Sequence, residues 1–363
     1  MTNANPDAFD PLKAKGVPAV DTERKYAFFR CGKKLGISFW ALPKLCKLAV
    51  AKINSIQKGR SWEKVFEENK EKELEELKEC CKVVVMVNAD HQKSWNILKR
   101  CVESGAMKWE ESMWISKLSL TKHPKSGSTW AHRKWMIGFL VSKGIEVEFA
   151  GELEFCLQAS TIYPKNYFAW SHRVWVVNQI RKEGKRKLLE RQLSVEMKKW
   201  IEKHPSDHCG FHHRQFILTQ LLKDVDEQSY ESVAQRIKDL RVHSSKEGNY
   251  SPITVQVEFH EIWKEEFESV HKLFKNYSQH ESIWCHYRAL LMLNLLMGDF
   301  AGIREKEMEF LRQKKKEANF SENQFALRTL FWINRISKKE EKEEKELISL
   351  LQQSSHSQFW NFI

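Results

Sequence analysis

The chain has 363 residues, enough for a large core or one elongated array, and its 14 Gly and 8 Pro are too few for a turn-rich, strand-rich fold. Charged residues at 30% and hydrophobic residues at 42% are ordinary for a folded protein, while 14 Trp is an abundance that asks for an explanation. A net charge of +12 admits nucleic acid, acidic lipid, a phosphate-bearing ligand or an acidic partner, but no aromatic RNA-binding signature is present, and most lysines read as a solvated Lys/Glu-rich helical exterior.

No segment approaches ~20 apolar residues, so no transmembrane helix is expected. The N-terminus has no apolar signal core, and the ends Met-Thr and Asn-Phe-Ile offer no myristoylation Gly or prenylation Cys of their own. The eight Cys form no CxxC and no paired metal spacing. Reduced thiols and a cytoplasmic location are the expectation.

Residues 1–22 carry Pro6, Pro11 and Pro18 with little apolar content and read as a flexible arm before a single α-solenoid over 23–363. Residues 61–82, SWEKVFEENKEKELEELKECCK, predict one helix of mixed charge with Ser61 as its N-cap. The repeating part follows. HPKSGSTWAHRKW (123–135), YPKNYFAWSHRVW (163–175) and HPSDHCGFHHRQF (204–216) each place an aromatic six residues after Pro, then His and Arg two and three residues further on.

Aligned on the aromatic, Trp95, Trp130, Trp170 and Phe211 are 35, 40 and 41 residues apart, and Trp284 follows after 73. The last gap is one period plus an insertion, placed at about 241–258, where Gly248, Pro252 and β-branched residues break the helical pattern. A ~40-residue period fits one helical hairpin per repeat, and the fold expected is all-α, an α–α superhelix whose repeats run over about 80–335. Phe149, Leu153, Cys156 and Leu157 before Pro164, and Leu193, Met197, Trp200 and Ile201 before Pro205, mark the apolar face of each first helix. Pro ends that helix, and Asn166 or Asp207 turns the chain and caps the next. Trp supplies a flat surface for the neighbouring hairpin. Arg133, Arg173 and Arg214 lie on the same helical face as the aromatics and are suited to bond carbonyls or carboxylates of an adjacent helix pair. His132, His172 and His213 recur in register, one per repeat, a spacing for structural hydrogen bonds and not for a metal site. ENQFALRTLFWINR (322–335) reads as a degenerate unit, KKEEKEEKE (338–346) as a solvated helical run, and a last short helix is expected to end near Trp360.

PKNYFAWSHR (164–173) resembles the P-x-N-Y-x-x-W-x-x-R repeat of protein prenyltransferase alpha subunits. HPKSGSTWAHRKW fits the same repeat, and NADHQKSWNILKR (88–100), HPSDHCGFHHRQF and HESIWCHYRAL (280–290) fit it more loosely. The resemblance implies a crescent of hairpins that wraps a separate beta subunit, which holds the catalytic zinc and most of the isoprenoid pocket. This chain would then bind no cofactor itself and would act only as part of a heterodimer. Geranylgeranyl diphosphate would be the co-substrate, a C-terminal Cys on another protein the acceptor, and a Rab geranylgeranyltransferase-type beta subunit the partner, with an escort protein able to present the substrate. By the same resemblance, Lys125 matches the family Lys that contacts the isoprenoid diphosphate, and Asn166 and Tyr167 match residues at the substrate rim. Trp95, Trp130, Arg133, Trp170, Arg173, Phe211, Arg214 and Trp284 carry the structural signature. Departures are clear: Gly127 stands for the family Tyr, Phe168 for its His, Leu98 and Tyr287 for Arg, and Phe211 for Trp.

Three readings stay open at this point. One is the alpha subunit of a protein geranylgeranyltransferase. Another is an inert helical scaffold for an unrelated protein, since a solenoid's face is a natural partner surface. A third is a nucleic-acid binder using the basic exterior.

Overall fold

The computed structural model describes residues 28–31, 34–68, 70–223, 257–296, 303–317 and 320–337. The expected arm at 1–22, the run at 338–346 and the terminal helix near Trp360 lie outside these residues. So does the expected insertion, except for Val257 and Glu258, which begin a helix.

A two-stranded antiparallel pair, β1 (Phe28–Cys31) and β2 (Lys34–Ile37), comes first, with Phe28 opposite Ile37 and Cys31 opposite Lys34. Among the described residues the other elements are helical: α1 (Ala41–Gln57), α2 (Trp62–Glu67), α3 (Glu71–Val87), α4 (Gln92–Glu103), α5 (Trp109–Lys122) and α6 (Gly127–Ser142). They continue as α7 (Phe149–Ile162), α8 (Tyr167–Lys182), α9 (Arg186–Arg191), a π-helical turn (Gln192–Glu196), α10 (Met197–Lys203) and α11 (His208–Lys223). The remainder are α12 (Val257–Tyr277), α13 (Glu281–Leu296), α14 (Ile303–Glu317) and α15 (Phe320–Ser337). The fold class is thus the all-α, helical-hairpin class, with one short strand pair that the sequence does not announce.

Residues 61–82 do not form the single helix that their composition predicts. Ser61 caps as expected, its hydroxyl accepting from the Lys64 amide at 3.2 Å, but α2 stops at Glu67 and α3 starts afresh after an extended Lys70. The sequence there holds Asn69, a residue type of low helix propensity. Arg60 holds the corner by pairing with both Glu68 and Glu73.

Contacts group the chain into two compact units: residues 1–148 with 154–172, and residues 149–153 with 173–363. In the first, α1 packs on α3 and α3 on α4, joining Ile53, Ile56, Leu77, Val84, Trp95 and Leu98 in one core. In the second, α12 packs on α13, and Trp263, Phe267, Phe274, Trp284 and Tyr287 are buried together.

Each Pro acts as a stop. α5 ends two residues before Pro124, α7 two before Pro164 and α10 two before Pro205. His123 and His204, the residues before two of these prolines, leave the helical region with ψ of 60° and 59°, as the proline ring demands of its predecessor. The first-helix apolar sets are buried: Phe149, Leu153, Cys156 and Leu157 in α7, and Leu193, Met197, Trp200 and Ile201 across the π turn and α10.

Candidate functional site

The turn between the two helices of a hairpin is built by the repeat itself. Trp130 Nε1 donates to the Pro124 carbonyl at 2.9 Å, Trp95 Nε1 to the Ala89 carbonyl at 2.7 Å, and Trp284 Nε1 to the Ser278 carbonyl at 2.6 Å. The indole therefore ties down a carbonyl six residues earlier, which a helix cannot satisfy across such a turn. Carbonyls at these turns also bind the neighbouring hairpin. Ser126 Oγ donates to Ala89 O at 3.0 Å, Asn166 Nδ2 to Pro124 O at 2.8 Å, and Ser282 Oγ to Pro205 O. Where Phe211 replaces Trp, Pro205 O keeps its acceptor bond from Ser282, so the loss of an indole donor leaves no orphaned oxygen.

The arginines staple the two helices of a hairpin. Nη1 of Arg133 donates to Met113 O at 3.1 Å, Nη1 of Arg173 to Leu153 O, and Nη1 of Arg214 to Leu193 O at 2.8 Å. Each acceptor lies 20 or 21 residues upstream. The rest of the guanidinium reaches the following hairpin: Arg173 bonds Gln192 and His213, and Arg214 forms a two-point pair with Glu266. Tyr287, in the Arg position of its repeat, donates its hydroxyl to Glu307 instead. Burial alone would raise the Glu266 carboxyl, but the charge of Arg214 and hydrogen bonds from His286 and Arg214 outweigh it and hold the pKa at about 2.

The repeat histidines are packing residues, and His132 and His286 also meet a polar side chain. His132 lies 4.4 Å from the Trp95 ring and 2.8 Å from Ser112 Oγ. His172 lies 5.1 Å from Trp130, and His286 lies 5.3 Å from Phe211 and 2.8 Å from Glu266. Each thus sits on the aromatic of the preceding repeat. Burial lowers His132 to about 3 and also lowers His213 and His286, so all three are neutral at ordinary pH. Four of the thiols are held protonated by burial. Burial raises Cys80, Cys81, Cys285 and Cys101, the last to about 12.

The three residues matched to a substrate rim are distributed unequally. Asn166 is fully buried: its Oδ1 caps α8 by accepting from the Ala169 amide at 3.3 Å, and its Nδ2 is spent on Pro124 O. Its place is structural. Lys125 is exposed, with Nζ 5.8 Å from the centre of the Tyr163 ring. Tyr167 is 74% exposed and meets Phe168 edge to face at 5.8 Å. Ile162, Tyr163 and Phe168 are also exposed, so an ammonium stands at the edge of an apolar, aromatic surface. Tyr163 and Ile162 are the members that sequence reasoning passed over, although Tyr163 stands in the quoted motif directly before Pro164. Gly127 and Phe168 are in contact: a Cβ at 127 would sit 3.2 Å from Phe168 Cε1.

This edge can bind an anion through Lys125, donate from the Tyr167 hydroxyl and accept apolar surface. Among the described residues, no group of three or more His, Cys, Asp or Glu is arranged to hold a metal ion, and no helix is long and apolar enough to cross a membrane.

Such a fold and site define a class: an all-α protein of helical hairpins keyed by Trp, His and Arg, with an exposed cationic and aromatic turn edge. More particularly, residues 114–140, 149–180 and 196–221 match the protein prenyltransferase alpha subunit repeat. It is similar to protein prenyltransferase alpha subunit repeat-containing protein 1 of Danio rerio, 29% identical over 281 residues, and of Homo sapiens, 29% identical over 281 residues. It is also similar to repeat-containing protein 1-A of Xenopus laevis, 30% identical over 283 residues. The matches take in 72% of this chain, which spans 62% of the Danio and Xenopus proteins and 67% of the human one. A chain of Candida albicans protein geranylgeranyltransferase-I complexed with GGPP aligns at 17% identity over 75% of this chain and 88% of its own, with a TM-score of 0.31, too loose a superposition to bear on the fold.

Proposed function

We propose that this chain is the alpha-type subunit of a heterodimeric protein geranylgeranyltransferase. A beta subunit of the Rab geranylgeranyltransferase type carries the zinc and the isoprenoid pocket, and the acceptor is a C-terminal Cys of a protein substrate. The observation that carries this reading is the exposed edge of Lys125 with Tyr163, Tyr167 and Phe168, on turns made by the prenyltransferase alpha repeat. As the carbon–oxygen bond of geranylgeranyl diphosphate breaks, charge collects on the leaving diphosphate. An ammonium placed there stabilises that charge, and a phenol adds a hydrogen bond. The aromatic surface offers area for a subunit contact. A second reading, a scaffold without a catalytic contribution, is favoured by one observation: Gly127 and Phe168 replace two polar family residues and pack against each other.

Co-expression of this chain with a Rab-type beta subunit tests the first reading. A stoichiometric complex on size exclusion is expected, and Lys125→Ala within it is expected to lower turnover by about tenfold or more while assembly is unchanged. Failure to form the complex with any prenyltransferase beta subunit would favour the scaffold. Unchanged turnover would remove Lys125 from the mechanism.

A further inference from the structure

We infer that the outer face of α1 and the turn before it form a docking surface for an anionic lipid bilayer. Ten Lys and Arg and no Asp or Glu occur between Arg24 and Arg60, so this short stretch supplies all but two of the chain's +12 charges. The structure shows where part of that charge stands. α1 buries Ala49, Ile53 and Ile56 against α3 and leaves Trp40, Lys44, Lys47, Leu48 and Ala51 on the opposite, exposed face. Those positions fall within one stripe of a helix.

The stripe is not merely polar. Leu48 is 69% exposed, Trp40 is 38% exposed, and Phe39 in the preceding turn is 90% exposed. Lys44 arches over Trp40, with Nζ 5.2 Å from the ring centre. An ammonium held over an indole face is a cation–π pair, and a Lys beside an exposed Trp is a combination that suits a lipid–water interface. Lys44 and Lys47 make no ion pair with a described residue, whereas Lys52 off the stripe is neutralised by Glu76 at 2.9 Å and Arg60 by Glu68 and Glu73. Uncompensated charge is therefore concentrated beside the apolar side chains.

Large apolar side chains left in water gain nothing, and cations beside them repel one another. Acyl chains and anionic headgroups resolve both at once, and aromatic side chains favour that interface. Single-stranded RNA also answers to basic and aromatic residues, but it is held in grooves whose rings stack on bases. This surface is the outside of a helix, and Leu48 has no ring.

The test is co-sedimentation of the full chain with vesicles of equimolar phosphatidylcholine and phosphatidylserine against phosphatidylcholine alone. Binding to the anionic vesicles only, weakened by salt, is expected. The double variant Lys44→Glu with Lys47→Glu is expected to bind about tenfold or more weakly, and Phe39→Ser with Leu48→Ser to lose on the order of tenfold. All four positions are exposed, so unchanged thermal melting shows that the variants remain folded. Indifference to phosphatidylserine, or binding by both variants as tight as that of the unaltered chain, would overturn the inference. So would competition by single-stranded polyuridylate that binds more tightly than the vesicles and depends on the same residues.

Discussion

Gly127, the first residue of α6, lies against the ring of Phe168, the second residue of α8, so closely that a methyl group at 127 would stand 3.2 Å from Phe168 Cε1. The two departures from the repeat that this sequence resembles are therefore one structural event: a smaller residue on one turn makes room for a ring on the next. Gly127→Tyr alone is expected to lower the thermal midpoint, because the ring must be displaced. Gly127→Tyr with Phe168→His is expected to recover much of that loss. In a double-mutant cycle the coupling should be about 0.5–2 kcal/mol, and additive effects would show that the two sites are independent.

The indole of Trp130 does two things, filling space against Phe155 and His172 and donating to Pro124 O. Because Asn166 still donates to that carbonyl, Trp130→Phe is expected to cost only about 1 kcal/mol, as the natural Phe211 suggests. Trp130→Ala leaves a cavity and is expected to cost about 3–5 kcal/mol by urea unfolding. Equal costs would mean that the hydrogen bond, not the ring, holds the turn.

Arg214 and Glu266 are almost fully buried as a pair. Arg214→Ala leaves a buried carboxylate with no counter-charge and is expected to destabilise by about 3–5 kcal/mol. Replacing both by Met and Leu is expected to cost much less. Glu266 binds its proton less readily folded than unfolded. Its contribution is full above pH about 4.5 and is lost as pH falls toward about 2. Glu266→Gln should flatten stability across that range.

His132 acts at higher pH. Burial lowers it from 6.5 to about 3, so the unfolded chain takes up a proton that the folded chain refuses. Stability is full above pH about 6.5 and declines as pH falls toward about 3. His213 and His286 are shifted in the same direction. Urea midpoints are expected to drop between about pH 7 and pH 5, with a shallower slope in His132→Asn. An unchanged slope in that variant would show that His132 is protonated in the fold.

Much of this architecture is legible in the residues. Pro, Trp and Arg at fixed offsets predict the helix stop, the packed aromatic and the buried guanidinium, because each effect acts within one hairpin. What escapes is long-range or local in a way that composition hides. Nothing near Arg173 or Arg214 marks Gln192 and Glu266 as their partners, since those contacts depend on how hairpins stack. Residues 28–37 carry no strong strand pattern, and the break between α2 and α3 hangs on a single corner. At the candidate site, Asn166 and Tyr167 are neighbours in one motif, yet one is wholly buried as a cap and the other exposed. Only the placement of the preceding hairpin separates their roles.

The most direct measurement is transfer of a fluorescent geranylgeranyl group from its diphosphate to a peptide ending in Cys. It would be made with this chain alone, with a Rab-type beta subunit alone and with the two together. Transfer is expected only from the pair, and to weaken when Lys125 is replaced by Ala. Transfer by the purified chain alone, or no gain on pairing it with any prenyltransferase beta subunit, would contradict its assignment as a non-autonomous alpha-type subunit.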